Sequence, residues 1–263
     1  MSNWILLRGL TREARHWGGF AELLRGEFPD AQVFAPDLPG NGSRCREKSP
    51  LRVEAMVEAL REQLGAQRVA PPYRLLAMSL GAMVAVDWAA RYPGEIGGAV
   101  LINTSLRPFS PFYRRLKPAN YRRLLGLALG AASDREWECA IIELTSRRSG
   151  ANAAVLDDWL AYRRENPVAI GNALRQLCAA ARYRAPLARP SPPLLVLSSL
   201  GDALVDCACS RQLAERWQLD HAVHPNAGHD LPLDDGTWVA RQVARWLAAS
   251  PAPAISRALG ASP

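Results

Sequence analysis

The chain has 263 residues, 49% of them hydrophobic, which is enough for one full α/β core or one domain carrying a large insertion. No apolar run approaches the roughly 18 residues of a membrane-spanning helix, and Met1–Leu10 lacks the basic and long apolar regions of a signal peptide. The net charge of +7 comes mostly from arginine, a balance that suits acidic partners or simply a soluble surface, and no motif or basic–aromatic stripe points to nucleic acid.

Trp4-Ile5-Leu6-Leu7 is a short apolar run that stops at Arg8-Gly9 and predicts a buried strand. Trp17, Phe20, Leu23, Leu24 and Phe28 then recur near helical spacing. Residues 32–44 predict a strand followed by a loop punctuated by proline and glycine. Residues 49–66 form an amphipathic pattern, with Ser49 as its expected N-cap, Pro50 in the first turn and Gly65 near the end. A strand over 73–78, a turn at Ser79 and a helix ending at Pro93 follow, then a buried strand over 97–105. Near the other end, 192–202 and 219–230 each predict a strand and a polar loop, and 237–248 predicts an amphipathic helix.

Strands alternating with helices argue for a mostly parallel sheet of about six strands, covered by helices on both faces. The interval 107–187 breaks that rhythm with helical segments and closes on a proline-rich stretch. It predicts a helical cap inserted between core segments 1–106 and 188–250, with 251–263 as a mobile tail. The five cysteines are odd in number and contain no C-x-x-C; Cys207 and Cys209 have a poor zinc spacing. A reduced, cytoplasmic protein without metal or cofactor is expected.

Ala77-Met78-Ser79-Leu80-Gly81 lies between a strand and a helix, where the pattern G-x-S-x-G makes a sharp turn that exposes a serine hydroxyl. Residues two before and two after the serine must be small; Gly81 satisfies this, and Ala77 adds one methyl that has to fit beside the turn. The competing reading is a serine buried at a helix start. A nucleophilic serine needs a base, usually histidine, and a carboxylate that orients it. Of four histidines, His16 packs or caps near the first helix, and His221 and His224 lie in or beside the last strand as structural imidazoles. His229 sits in the loop after that strand and is the candidate base. Asp202 follows the preceding strand directly and is favoured over Asp206, which suits a helix cap. Two backbone N–H donors, from Leu80 and from Leu10 after Gly9, would form an oxyanion hole.

These segments, with "LLRGL", "APDLPGNGSR", "SSLGDALVD" and "NAGHD", resemble the α/β-hydrolase fold over about residues 4–248. The sheet would lack the two leading strands of the common form. Within the superfamily the chain is similar to small bacterial carboxylesterases of the pimeloyl-acyl-carrier-protein methyl ester esterase kind, in biotin synthesis. The resemblance implies a triad of Ser79, Asp202 and His229, oxyanion donors Leu10 and Leu80, and an architectural loop at Asp37 and Gly40. It implies hydrolysis of a carboxylic ester, with a small-molecule or carrier-bound acyl substrate.

Arg8 stands where the usual histidine would be, and either binds an anionic substrate group or makes a salt bridge within the fold. Phe109, Phe112, Tyr113, Tyr121, Trp137, Trp159 and Tyr162 line an acyl pocket or build the cap's own core. Cap arginines, among them Arg122 and Arg123, suit an acidic acyl carrier protein. Thioesterase, lactonase and perhydrolase chemistry use the same triad, and a non-catalytic binding scaffold is the alternative from another class.

Overall fold

The computed structural model describes residues 3–129, 132–148 and 152–249. The expected mobile tail, 251–263, lies outside the described residues. The elements in chain order are β1 (Asn3–Leu7), α1 (Phe20–Glu27), β2 (Gln32–Phe34), α2 (Val53–Ala66), β3 (Tyr73–Met78), α3 (Leu80–Arg91) and β4 (Ile96–Ile102). A helical stretch follows: α4 (Phe112–Arg115), α5 (Tyr121–Leu129), α6 (Asp134–Thr145), α7 (Asn152–Glu165) and α8 (Ile170–Arg182). The chain then returns to β5 (Leu194–Ser199), α9 (Ala208–Trp217), β6 (Asp220–His224) and α10 (Leu231–Ala249).

The six strands pair in the order β2-β1-β3-β4-β5-β6, and every pairing is parallel. The period of two along each strand sorts its side chains between two apolar layers. Ile5, Leu7, Leu75, Ala77, Leu101 and Val196 enter one layer with α2, α3 and α9. Trp4, Leu6, Leu76, Met78, Val100 and Leu197 enter the other with α1 and α10. The central strands are buried on both faces, which explains their mostly apolar sequence, interrupted by Arg74 in β3 and by Ser198 and Ser199 at the end of β5. The edge strands β2 and β6 are only partly buried. Among the described residues no helix is long and apolar enough to cross a membrane.

The strand order reverses between β1 and β3, and a crevice opens outside the carboxyl ends of strands at such a switch point. The residues that follow are Arg8-Gly9-Leu10 after β1 and Ser79 after β3. The stretch that carries helices α4–α8 bonds to the loops at this edge. Lys117 Nζ donates to Asp202 O at 2.5 Å, Arg147 Nε to Gly201 O at 2.9 Å, and Asp230 N–H to Thr145 O at 2.7 Å.

Three boundaries differ from expectation. Ser49 does not cap α2, which starts at Val53 with Arg52 at the N-cap. Ser49 is instead buried, donating from Oγ to Pro39 O at 2.7 Å and from N–H to Asn172 Oδ1 at 3.0 Å. A long-range polar network therefore outcompetes the local cap. The strand expected over 97–105 ends at Ile102, because Asn103 takes a positive φ of 44°. The last helix begins at Leu231, not Thr237, and breaks at Asp235, whose Oδ1 accepts from Trp238 N–H at 2.9 Å and caps the second half.

Gly81 is the small residue that the Ser79 turn requires. A Cβ there would overlap the carbonyl oxygen of Leu7 and lie 2.7 Å from that of Arg8. Both are backbone at the end of β1, which cannot yield without moving the sheet. Gly81→Ala is expected to lower stability by about 1–3 kcal/mol or more, seen as a lower urea midpoint with the m value unchanged. Ala77, fully buried in the apolar layer beside α3, accommodates its methyl as core.

Candidate active site

Ser79 occupies the junction of β3 and α3 with φ 54° and ψ −115°, a conformation that a non-glycine residue adopts only under constraint. The constraint is visible: its N–H donates to Ile102 O at 3.0 Å, and its carbonyl accepts from Ala82 and Met83. It stands at the N-cap of α3, yet its side chain makes no capping bond. Ser79 is partly exposed between two buried neighbours, Met78 and Leu80. A serine kept at a cap for helix stability would use that hydroxyl on the first turn.

Gly9 brings the β1 loop against this serine. A Cβ on Gly9 would lie 3.3 Å from Ser79 Cβ and 3.8 Å from Ser79 Oγ. The next N–H belongs to Leu10, and Leu80 supplies the first N–H of α3. Among the described residues neither donates to a protein acceptor. The N-terminus of α3 adds its partial positive charge at the same place.

Asp202 and His229 meet behind this edge. His229 Nδ1 lies 2.7 Å from Asp202 Oδ2, and both side chains are almost wholly buried. The other carboxylate oxygen, Oδ1, accepts from Leu204 N–H at 2.8 Å and Val205 N–H at 2.9 Å, which fixes the carboxylate plane. Burial works against the imidazolium, but the charge and hydrogen bond of Asp202 prevail and raise the His229 pKa above its ordinary 6.5. No hydrogen bond joins Ser79 Oγ to His229 among the described residues. Such bonds are often long without substrate.

Residues that the sequence reading did not single out hold the His229 loop. Asn103 Nδ2 donates to His229 O at 2.8 Å and Gly228 O at 3.2 Å, and Ser199 Oγ donates to Gly228 O at 2.5 Å. The only local signal was a polar run, Asn103-Thr104-Ser105, directly after a buried strand. Asn103 adjoins Ile102, the acceptor for Ser79 N–H, so one short segment grips both the serine turn and the histidine loop.

Arg8 makes a salt bridge within the fold. It is 4% exposed. Its Nη1 and Nη2 reach Asp230 Oδ1 and Oδ2 at 3.1 and 2.5 Å, a bidentate pair. Its guanidinium also lies over the Trp17 ring and within 3.9 Å of Met78 Sδ. Arg8 precedes Gly9, Met78 precedes Ser79 and Asp230 follows His229, so three loops of the site converge on one buried cation. Of the two readings of Arg8, the salt bridge is the one that occupies both ends of its fork, on Asp230. Asp230→Ala strands that cation, and a stability loss of about 3–5 kcal/mol is expected in urea unfolding. The double variant Arg8→Met, Asp230→Leu is expected to recover most of it.

The other candidates disperse. Asp206 Oδ1 accepts from Ala208 N–H at 2.9 Å, the helix-start role expected of it. His16 is buried against Arg12 and Glu13, and burial and the nearby arginines hold its pKa well below 6.5. His221 pairs with Ser198 Oγ at 2.8 Å, and His224 Nδ1 accepts from Ala227 N–H at 2.8 Å. Trp159 is buried in the α6–α7 cluster beneath the Arg12 guanidinium. Phe109 packs edge-on against Trp217 beside the sheet core. Phe112 and Tyr113 are exposed on α4. Arg122 is exposed, and exposed Arg123 pairs with Glu143. Among the described residues no group of three or more histidine, cysteine or acidic side chains is placed to hold a metal ion.

An open parallel sheet flanked by helices, with a strained serine turn at its switch point, is the fold of a hydrolase of the α/β class. Residues 4–242 match the Alpha/beta hydrolase family, and the chain belongs to it. It is 28% identical over 235 residues to a pimeloyl-[acyl-carrier protein] methyl ester esterase from Aromatoleum aromaticum, covering 81% of this chain and 84% of that protein. A thermophilic esterase from Thermogutta terrifontis superposes with a TM-score of 0.71 at 21% identity, covering 94% of this chain and 90% of that one. An esterase from Rhodococcus sp. ECU1013 does so with a TM-score of 0.71 at 20% identity and the same coverage, 94% and 90%. The chain is thus an α/β hydrolase with esterases among its relatives, and its family membership supports an ester-hydrolysing enzyme.

Proposed function

We propose that the protein is a serine hydrolase that cleaves carboxylic esters through an acyl-enzyme on Ser79. The observation that carries this reading is the buried His229–Asp202 pair at 2.7 Å, on the edge where a strained serine keeps its hydroxyl out of the helix cap. Neutral His229 takes the Ser79 proton as Oγ attacks the acyl carbonyl. The Leu10 and Leu80 N–H groups stabilise the oxyanion. His229 then protonates the departing alkoxide, which leaves as the alcohol. Water, deprotonated by His229, attacks the acyl-enzyme, and Ser79 leaves with the proton back on Oγ. Asp202 stays ionised and holds Nδ1–H, so Nε2 is the working nitrogen.

For the substrate, we propose a carrier-bound acyl ester of the pimeloyl type, selected by a cap spanning 107–187. The named activity of the Aromatoleum relative supports this class. So do exposed apolar side chains on the cap helices, including Phe112, Leu125, Leu174 and Leu177. The net charge of +7 and the exposed cap arginines suit an acidic carrier protein. The test is a fluorophosphonate probe followed by a panel of esters and thioesters, free and carrier-bound, of varied chain length. Labelling at Ser79 and preference for the carrier-bound methyl ester are expected. No labelling sinks the serine mechanism, and faster thioester turnover replaces the esterase by a thioesterase.

A further inference from the structure

The cap helix α8 turns polar residues inward. Gln176 is fully buried, although glutamine is among the residues mostly found at surfaces. Its Oε1 accepts from Thr11 N–H at 2.8 Å, 165 residues away in sequence. Its Nε2 donates to Asn41 Oδ1 at 2.7 Å and Ser49 Oγ at 3.0 Å. Asn41 in turn donates from Nδ2 to Arg12 O at 3.0 Å. With two acceptors facing its NH₂ and one donor facing its oxygen, the amide of Gln176 has one orientation that satisfies all partners.

The segment held is the turn that carries Leu10. Arg12 N–H donates to Gly9 O at 3.3 Å, closing a four-residue turn with Leu10 and Thr11 at its centre. Thr11 has φ 59°. A positive φ at the third position belongs to a type II turn, where glycine or asparagine is normal. For β-branched threonine it is a strained state that persists only when the surroundings impose it. Types I and II differ by a flip of the central peptide, here Leu10–Thr11, whose N–H is the group that Gln176 grips. Release of that N–H removes the bond that imposes the strained state of Thr11, and the turn that carries Leu10 beside Ser79 is then free to relax.

We infer that Gln176 is a positioning residue for the oxyanion donor Leu10, holding the turn from the cap through Thr11 N–H. This rests on the serine-hydrolase reading above. Through it, the seating of α8 and the geometry of the oxyanion hole are a single conformational variable.

The experiment compares wild type with Gln176→Ala, Gln176→Met and Gln176→Glu on a p-nitrophenyl ester, with fluorophosphonate labelling of each and affinities for two inhibitors. One is an alkyl trifluoromethyl ketone, which forms an oxyanionic adduct on a serine; the other is the matching carboxylate product. Misplacing a catalytic group by about 1 Å costs on the order of 10²-fold. Gln176→Ala and Gln176→Met are expected to lower kcat by about 10–100-fold with KM nearly unchanged. Ketone affinity is expected to fall in step with kcat/KM while product affinity stays. Gln176→Glu, held as the neutral acid by burial, keeps a carbonyl for Thr11 N–H and an O–H for Asn41 Oδ1, and is expected to recover much of the loss. Gln176→Met preserves volume and carries the test if Gln176→Ala fails to fold. Unchanged kcat, or equal weakening of both inhibitors, overturns the inference while a labelled wild type leaves the serine mechanism standing. An unlabelled wild type overturns both.

Discussion

Ser79→Ala is expected to lower kcat for a p-nitrophenyl ester by about 10⁴–10⁶-fold and to abolish fluorophosphonate labelling. The size follows from the chemistry: without Oγ there is no acyl-enzyme, and only binding and the oxyanion donors remain to assist direct attack by water. The variant should stay folded. Ser79 Oγ makes no capping bond to α3, and the backbone bonds of Ser79 to Ile102, Ala82 and Met83 are independent of the side chain. Alanine also inherits the same positive φ, so the strain of the turn is unchanged. A urea midpoint near that of wild type, together with lost turnover, separates catalysis from folding. Full activity in the variant rejects Ser79 as nucleophile.

Asp202→Asn is expected to cost about 10⁴-fold in kcat with little change in fold. Asparagine keeps an oxygen for the Leu204 and Val205 N–H groups, so the loop stays in place. It then turns its NH₂ towards His229 Nδ1, which must become the acceptor. The ring proton moves to Nε2, the nitrogen that has to receive the serine proton. The pH profile gives a second, signed test. In wild type the Asp202 charge holds the His229 pKa above 6.5 against burial. Catalysis needs the neutral ring, so the acid limb of kcat/KM is expected to have its midpoint above 6.5. With the carboxylate gone, burial and the Arg8 charge outweigh the smaller effect of Asp230, and the limb moves below that value. A limb that stays in place in the Asp202→Asn enzyme rejects the pairing as the source of the shift.

The parts of this site legible in sequence are those made by local backbone. Gly81 announces a turn that no side chain fits, and a strand before it with a helix after it places Ser79 at a strand end. Asp202 and His229 were legible because each lies in the loop that follows a strand, and a parallel sheet carries all such ends to one edge. Ser49 misled for the complementary reason. Its sequence context, before Pro50 and an amphipathic run, is that of a helix cap, but Asn172 and Gln176 on α8 compete for it from more than 120 residues away. Trp159 likewise has the chemistry of an acyl pocket, and its burial against Ile142 and Leu160 depends on how α6 and α7 pack.

The sequence by itself determined the α/β architecture, the serine turn and the order of the chemically useful residues. Strand and helix periods, and the small residues that a sharp turn demands, act over a few neighbours and leave their mark in the local pattern. Only the tertiary structure decided which polar side chains meet. It paired Arg8 with Asp230, put Asn103 on the histidine loop and set Gln176 on the turn of Leu10. These are single bonds between distant segments with no period of their own. What selects them is the cost of burying a polar group without a partner, and that cost is set only when the segments come together.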